Sequence, residues 1–258
     1  MATLKNTTIN DTGFFLPASG TTAQRPASPS VGMMRYNSTT NYLEFYDGTA
    51  WVNIAGKGNV AAPSNLLVYL DAGISSSYPG SGFTWYDLSG AGRNFNIDNS
   101  ASFAYDSTNK WFNMGGQAGI NYESTIPTGT DCTCVFIIKT TDGQALFWLS
   151  STGGTGYYLG AYSGSNSYYN GNVSVSGIFR NAVSIPNLSG YVPTGNMMMV
   201  EFKGVNFTSP NWPTFTFNKY PGFSFDNGAI AALLIYNKSL STAESTQNLT
   251  YFGGRYGF

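Results

Sequence analysis

Asn65-Leu-Leu-Val-Tyr-Leu-Asp-Ala-Gly73 opens the longer part of the chain with a short apolar run that an acid and a glycine bring to a stop. The run contains β-branched Val68 and aromatic Tyr69, and it is too short for an ordinary helix, so it reads as a buried strand. Similar runs recur at 95–97, 111–114, 134–139, 145–149, 157–162, 172–179, 197–203, 214–217 and 230–236, with Gly, Ser and Asn between them. Many short strands separated by turn residues predict an all-β sandwich or closed barrel. One helix is expected. Ser241 and Glu244 have the spacing of a capping box, and the helix is predicted to run to about Leu249 and stop before Gly253 and Gly254. The ending Gly253-Gly-Arg-Tyr-Gly-Phe258 then reads as a packed tail, with Arg255 fixing it by hydrogen bonds.

Residues 1–60 differ in character. Pro26 and Pro29 favour an extended path, and short aromatic-bearing runs follow at 33–36, 42–46 and 51–54. They read as a small meander that cannot bury much surface alone. Residues 56–64 form a linker of small residues. The expected organisation is a β-hairpin or meander module over 1–60 and an antiparallel β-sandwich with one short C-terminal helix over 61–258.

Composition removes several functions. Only 10% of the 258 residues are charged, while 42% are hydrophobic and 16% aromatic, which fits a turn-rich β protein rather than a disordered one. There is no histidine, which excludes Ser-His-Asp and Cys-His nucleophile systems and His-ligated metals. A net charge of −1 without a basic cluster argues against nucleic acid as a partner. No apolar run is long enough to cross a bilayer as a helix, so no membrane partner is expected. The start, MATLKNTTIND, shows no ordinary secretory signal, so the Asn-x-Ser/Thr sequons read as a by-product of composition. Cys132 and Cys134 share one face of a strand and read as small packing residues.

Two resemblances follow from particular residues. Residues 65–73, Ser77-Tyr-Pro-Gly-Ser-Gly82, Thr84-Trp-Tyr-Asp-Leu-Ser-Gly90, the 230–237 run and Leu240 to Glu244 together resemble a concanavalin A-like, or laminin-G-like (LamG), jelly-roll domain. Such domains are familiar from virion proteins of tailed bacteriophages and from bacterial surface proteins. Gly20 to Pro26, Pro29, Gly32 to Asn37, Glu44 to Gly48 and Trp51 to Ile54 are similar to a short module of fibre-like phage structural proteins. The resemblances imply a virion structural protein: a head decoration, a head or neck fibre, or a short tail fibre. It would be made in the host cytoplasm and displayed on the virion surface. They imply other virion proteins as partners and a homo-oligomer, with a trimer favoured. Arg25, Pro26, Arg35, Tyr36, Glu44 and Trp51 carry the attachment module. Arg35 and Glu44 face each other across the hairpin, where an exposed pair would contribute little.

Each candidate site has two readings. Asp71 and Asp87 are either turn carboxylates that accept backbone N–H groups or ligands of a structural Ca²⁺, and no other cofactor is expected. Trp148, Tyr157, Tyr158, Tyr162, Tyr168 and Tyr169 are either sandwich packing or a contact surface for glycan or protein. A carbohydrate-binding adhesin is therefore the alternative function. Glycoside hydrolysis needs two carboxylates flanking the bond, and Glu44, Glu123, Glu201 and Glu244 lack a closely spaced second acid on the same strand. The sequence thus predicts a protein that is not an enzyme.

Overall fold

The structure, a computed structural model, describes residues 13, 16–39, 42–53, 60–98, 103–116, 119–122, 124–140, 145–151, 158–162, 167–171, 173–185, 195–208, 212, 214–217 and 225–258. The chain divides into two compact units, Met1–Gly58 and Asn59–Phe258.

The first unit is a sheet of β1 (Ser19–Gly20), β2 (Met34–Asn37), β3 (Tyr42–Tyr46) and β4 (Trp51–Asn53), in that order. β2, β3 and β4 form an antiparallel meander, and β1 joins β2 in parallel. Register pairs Met34 with Phe45, Phe45 with Val52 and Tyr36 with Leu43, so these residues share one face. Arg35, Asn37 and Glu44 take the other. The sheet is inverted with respect to ordinary burial. Arg35, Asn37 and Glu44 are buried, whereas Met34 is 51% exposed and Val52 39%.

Glu44 is the centre of the polar face. Arg25 donates to it through Nε at 3.2 Å and Nη2 at 2.6 Å, Asn37 donates through Nδ2 at 3.0 Å, and Arg35 Nε lies 3.5 Å away. Arg35 also donates to the Thr21 carbonyl at 3.0 Å. The bidentate bond from Arg25 holds the Glu44 carboxyl below its ordinary range. The expectation of a weak exposed Arg35–Glu44 pair is therefore corrected. The segment before β2 covers this face and takes the pair out of water.

The second unit begins with β5 (Leu66–Asp71), β6 (Thr84–Trp85), β7 (Phe95–Ile97), β8 (Ala104–Asp106), β9 (Trp111–Gly116) and β10 (Ile120–Tyr122). It continues with β11 (Cys132–Thr140), β12 (Ala145–Ser150), β13 (Tyr158–Tyr162), β14 (Ser167–Gly171), β15 (Gly177–Arg180) and β16 (Val183–Ile185). β17 (Met197–Val205), β18 (Phe215–Phe217), β19 (Phe225–Tyr236) and α1 (Thr242–Tyr256) complete it. One layer runs β16-β15-β17-β11-β19, with β5 and β9 along the far edge of β19 and β8 beyond β9. The other runs β14-β13-β12-β18-β10-β7-β6. A single parallel pair, Ala145 with Phe225, joins them. This is an all-β sandwich with one short C-terminal helix, as the strand pattern predicts.

Alternation explains the two apolar clusters. Cys134, Phe136 and Ile138 of β11, Val200 and Phe202 of β17, and Leu233 and Ile235 of β19 meet Phe217, Ile120, Leu149 and Phe95 between the layers. The intervening residues Val135, Ile137, Met199, Leu234 and Tyr236 face outward, where Tyr251 and Phe252 of α1 cover them. Hence β11 and β19 read as continuous apolar runs rather than alternating ones. Cys132 and Cys134 are buried free thiols in the inter-layer core.

The helix begins as expected. The Ser241 side chain accepts from the Glu244 N–H, and Glu244 answers to the Ser241 N–H at 2.8 Å. It does not stop before Gly253. Burial of Tyr251 and Phe252 carries it through both glycines to a left-handed cap at Gly257, φ +77°. Glu201 and Lys203 lie on the face of β17 beneath it. Lys203 Nζ donates to the Leu240 carbonyl at 2.9 Å and the Ser245 hydroxyl at 2.6 Å, and Ser245 donates to Glu201 at 2.9 Å. Among the described residues, no helix is long and apolar enough to cross a membrane.

Candidate functional site

β5 and β9 share one edge of β19 end to end. β5 pairs with Ala232 to Tyr236 and β9 with Phe225 to Ile230. The register shift of β19 against β11 falls at the same place, between Ile230 and Ala232. A cleft of about 420 Å³ opens where the two strands abut. Its volume is that of a small-ligand site. Ala72, Gly73, Ser75, Tyr78, Pro79 and Gly80 of the β5–β6 connection form one wall, and Tyr105, Ser107 and Lys110 of the β8–β9 hairpin form the other.

Both walls are braced. Asp71 ends β5, and its Oδ1 accepts the Gly73 N–H at 2.9 Å. The Ser77 hydroxyl accepts from the Asp71 N–H at 3.1 Å and donates to the Tyr86 carbonyl at 2.7 Å, which ties the two ends of the connection together. Gly80 and Gly82 both take φ +99°, a turn that other residues adopt only with strain. Tyr78 packs edge-on against Tyr105 and Phe112, with ring centroids at 4.8 and 4.7 Å. Tyr105 donates to the Ala72 carbonyl at 3.2 Å, spanning the cleft floor from wall to wall. Burial raises the pKa of both tyrosines, so their hydroxyls stay protonated. On the hairpin side, Asp106 accepts the N–H groups of Thr108 and Asn109, each at 2.9 Å. The result is a preformed hollow of aromatic edges and neutral hydroxyls with Lys110 in its lining.

Asp71 is fully buried. Its Oδ1 also accepts the Tyr256 hydroxyl at 2.6 Å, its Oδ2 accepts the Tyr69 hydroxyl at 3.1 Å, and Arg255 lies 3.6 Å away. Burial raises its pKa against these partners. Arg255 also donates to the Tyr251 hydroxyl at 2.7 Å, so the cluster fastens the end of α1 to the end of β5. Asp87 does a different job. Its Oδ1 accepts the N–H groups of Tyr69 and Ser89, each at 2.9 Å, and its Oδ2 accepts the Ser89 hydroxyl at 2.6 Å and the Arg93 N–H at 3.1 Å. With Arg93 on the Leu67 carbonyl at 2.6 Å, this loop covers the free edge of β5. Both carboxylates are thus occupied by protein donors. Among the described residues, no group of three or more Cys, Asp or Glu converges as a metal site.

The aromatic candidates lie elsewhere. Tyr157 is outside the described residues, as is Glu123. The backbone of Trp148 pairs with Gly160, Tyr158 with Ser150 and Gly171, Tyr162 with Ser167, Tyr168 with Ala161, and Tyr169 with Gly160. They fall on β12, β13 and β14, interleaved with the buried Leu149 and Leu159. In the first unit, Pro26 is exposed and Trp51 stacks at a tilt on Tyr46, 5.7 Å between centroids. Sequence reading missed Tyr78, Tyr105 and Lys110. Two connections well apart in sequence supply them, and only the shared edge of β19 brings them together. The signals available were the turn-forming Tyr-Pro-Gly at 78–80 and the Asp106-Ser-Thr-Asn-Lys110 hairpin.

No protein-family model matches the chain, and no curated protein matches it in sequence. Solved structures do. Domain 4 of the GH43 extracellular arabinanase of Geobacillus stearothermophilus, in complex with arabinotriose, aligns with a TM-score of 0.51 at 14% identity, over 72% of this chain and 98% of that one. The Trypanosoma rangeli sialidase, as a covalent intermediate with 2,3-difluorosialic acid, aligns with a TM-score of 0.48 at 9% identity, over 87% of this chain. The chain spans 45% of that sialidase's length. At these identities the common property is the fold, a β-sandwich found in carbohydrate-active proteins. The expectation of a non-enzyme is overturned by the arabinanase match: a domain of a GH43 enzyme has this kind of fold, so the fold does not set the chain apart from glycan-active enzymes.

Proposed function

We propose that the β-sandwich recognises saccharides through the Tyr78–Tyr105 cleft and is displayed on a virion surface by the N-terminal unit. One observation carries the saccharide reading: a preformed hollow of 420 Å³ that combines aromatic edges with Ser75 and Ser107 hydroxyls and backbone polar groups. Sugars present apolar C–H faces rimmed by hydroxyls, and this lining complements both. The sandwich fold, shared with a domain crystallised with arabinotriose, agrees with the reading.

The virion setting rests on the resemblance of residues 20–54 to fibre-like phage modules. The inverted sheet agrees with it. Among the described residues both apolar clusters belong to the second unit, so the first has no apolar core of its own. Its exposed face of Met34, Tyr36 and Val52, with Leu43 and Phe45, carries no charge. Identical uncharged faces meet without repulsion, and their burial supplies what so small a unit lacks. We therefore assign this face to further copies of the chain, with a trimer favoured by the resemblance.

A glycan array probed with the full chain tests the saccharide reading. Ser107→Trp, which fills the cleft mouth from an exposed position, is expected to abolish binding while leaving the melting curve unchanged. Binding that survives Ser107→Trp would move the site to another surface, β12–β14 foremost.

A further inference from the structure

Charge sets the kind of saccharide that the cleft takes, granted the saccharide reading above. Among the described residues, Lys110 is the sole charged residue in the lining. Among the described residues it makes no ion pair. The adjacent acid, Asp106, is engaged inside its own turn. It accepts from the Thr108 and Asn109 N–H groups at 2.9 Å and from Asn109 Nδ2 at 2.6 Å, and these bonds together with Lys139 lower its pKa. Asp71 is held by tyrosine hydroxyls and by Arg255. Among the described residues, Lys110 has no internal counter-charge.

The backbone of Lys110 takes φ +62°, in the left-handed region that Gly or Asn adopts more cheaply. Its N–H donates to the Asp106 carbonyl at 2.8 Å, which closes the hairpin turn. Ala182 takes the same φ in the β15–β16 turn, so this strain belongs to turn closure.

We propose that the cleft binds an acidic saccharide, with a sugar ring against Tyr105 and the ring's carboxylate or sulfate group on Lys110 Nζ. The Ser75 and Ser107 hydroxyls serve the neighbouring ring hydroxyls. A charge-assisted bond to an otherwise unpaired cation favours a charged ligand over its neutral counterpart.

The test compares acidic and neutral members of the glycan array, then titrates the best acidic hit and its neutral counterpart calorimetrically. The acidic form is expected to bind about tenfold more tightly at low salt, an advantage that shrinks as salt rises. Carboxylated and sulfated hits separate the two sources of charge. Lys110→Gln is expected to remove the roughly tenfold preference, the acidic ligand losing more affinity than the neutral one. Lys110→Gly is expected to raise the unfolding temperature, by relieving the backbone, while losing the same preference. Equal binding of acidic and neutral forms, or an unchanged preference in Lys110→Gln, overturns the charge assignment and leaves the saccharide reading standing. An array without hits overturns both.

Discussion

Glu44 concentrates the energetics of the first unit in one side chain. It is fully buried with Arg25, Arg35 and Asn37 around it. Removing one member of a buried ionic cluster leaves uncompensated charge at a cost of about 3 kcal/mol or more. In a unit without its own apolar core, that is a large share of the stability. Glu44→Ala is expected to unfold residues 19–53, read as new protease cuts there with the sandwich intact. The sign of the pH dependence follows from the lowered carboxyl pKa. The stabilisation is complete at neutral pH and is lost as pH falls through the folded value, below the ordinary 4.5. Acid titration of the wild type should open this unit in that window, and the transition should be absent from Glu44→Ala. The facing of Arg35 and Glu44 was legible, because hairpin register follows from the turn between them. Their burial was not, because it depends on Arg25 folding back over the sheet.

At the scale of elements, α1 separates what local sequence encodes from what packing imposes. The Ser241–Glu244 box is a local signal, and the structure contains it. Ser241→Ala is expected to cost about 1 kcal/mol, a fall in melting temperature of about 2–4 °C for a unit of this size. The far end was not legible. Gly253 and Gly254 look like a stop, but the burial of Phe252 on β11 and β19 outweighs their poor propensity. The two glycines should answer oppositely to alanine. A Cβ at Gly253 would lie 2.6 Å from the Phe258 carbonyl oxygen, so Gly253→Ala is expected to destabilise. Gly254 faces open space, and Gly254→Ala is expected to stabilise by up to about 1 kcal/mol. Thermal melts of the two variants measure both. Beneath the same helix, Ser245 bonds both Lys203 and Glu201, a link no strand pattern could reveal because the partners meet only after α1 docks.

For the whole molecule, the strand pattern carried the fold class, since apolar runs and turn residues follow directly from burial. It did not carry the site. The cleft arises where β5 and β9 end against each other on β19, a consequence of topology rather than of any motif. Assembly belongs to this scale too. Light scattering of the full chain should give a multiple of 27.7 kDa, and Met34→Lys with Val52→Lys should return it to the monomer mass. A wild type that is monomeric at micromolar concentration would remove the role given to the inverted sheet. The central claim, saccharide recognition between the β5–β6 connection and the β8–β9 hairpin, is tested most directly by NMR titration of the isotope-labelled full chain with the strongest array ligand. Shifts concentrated at Gly73 to Gly80 and Tyr105 to Lys110 are predicted, and shifts confined to β12, β13 and β14 would contradict it.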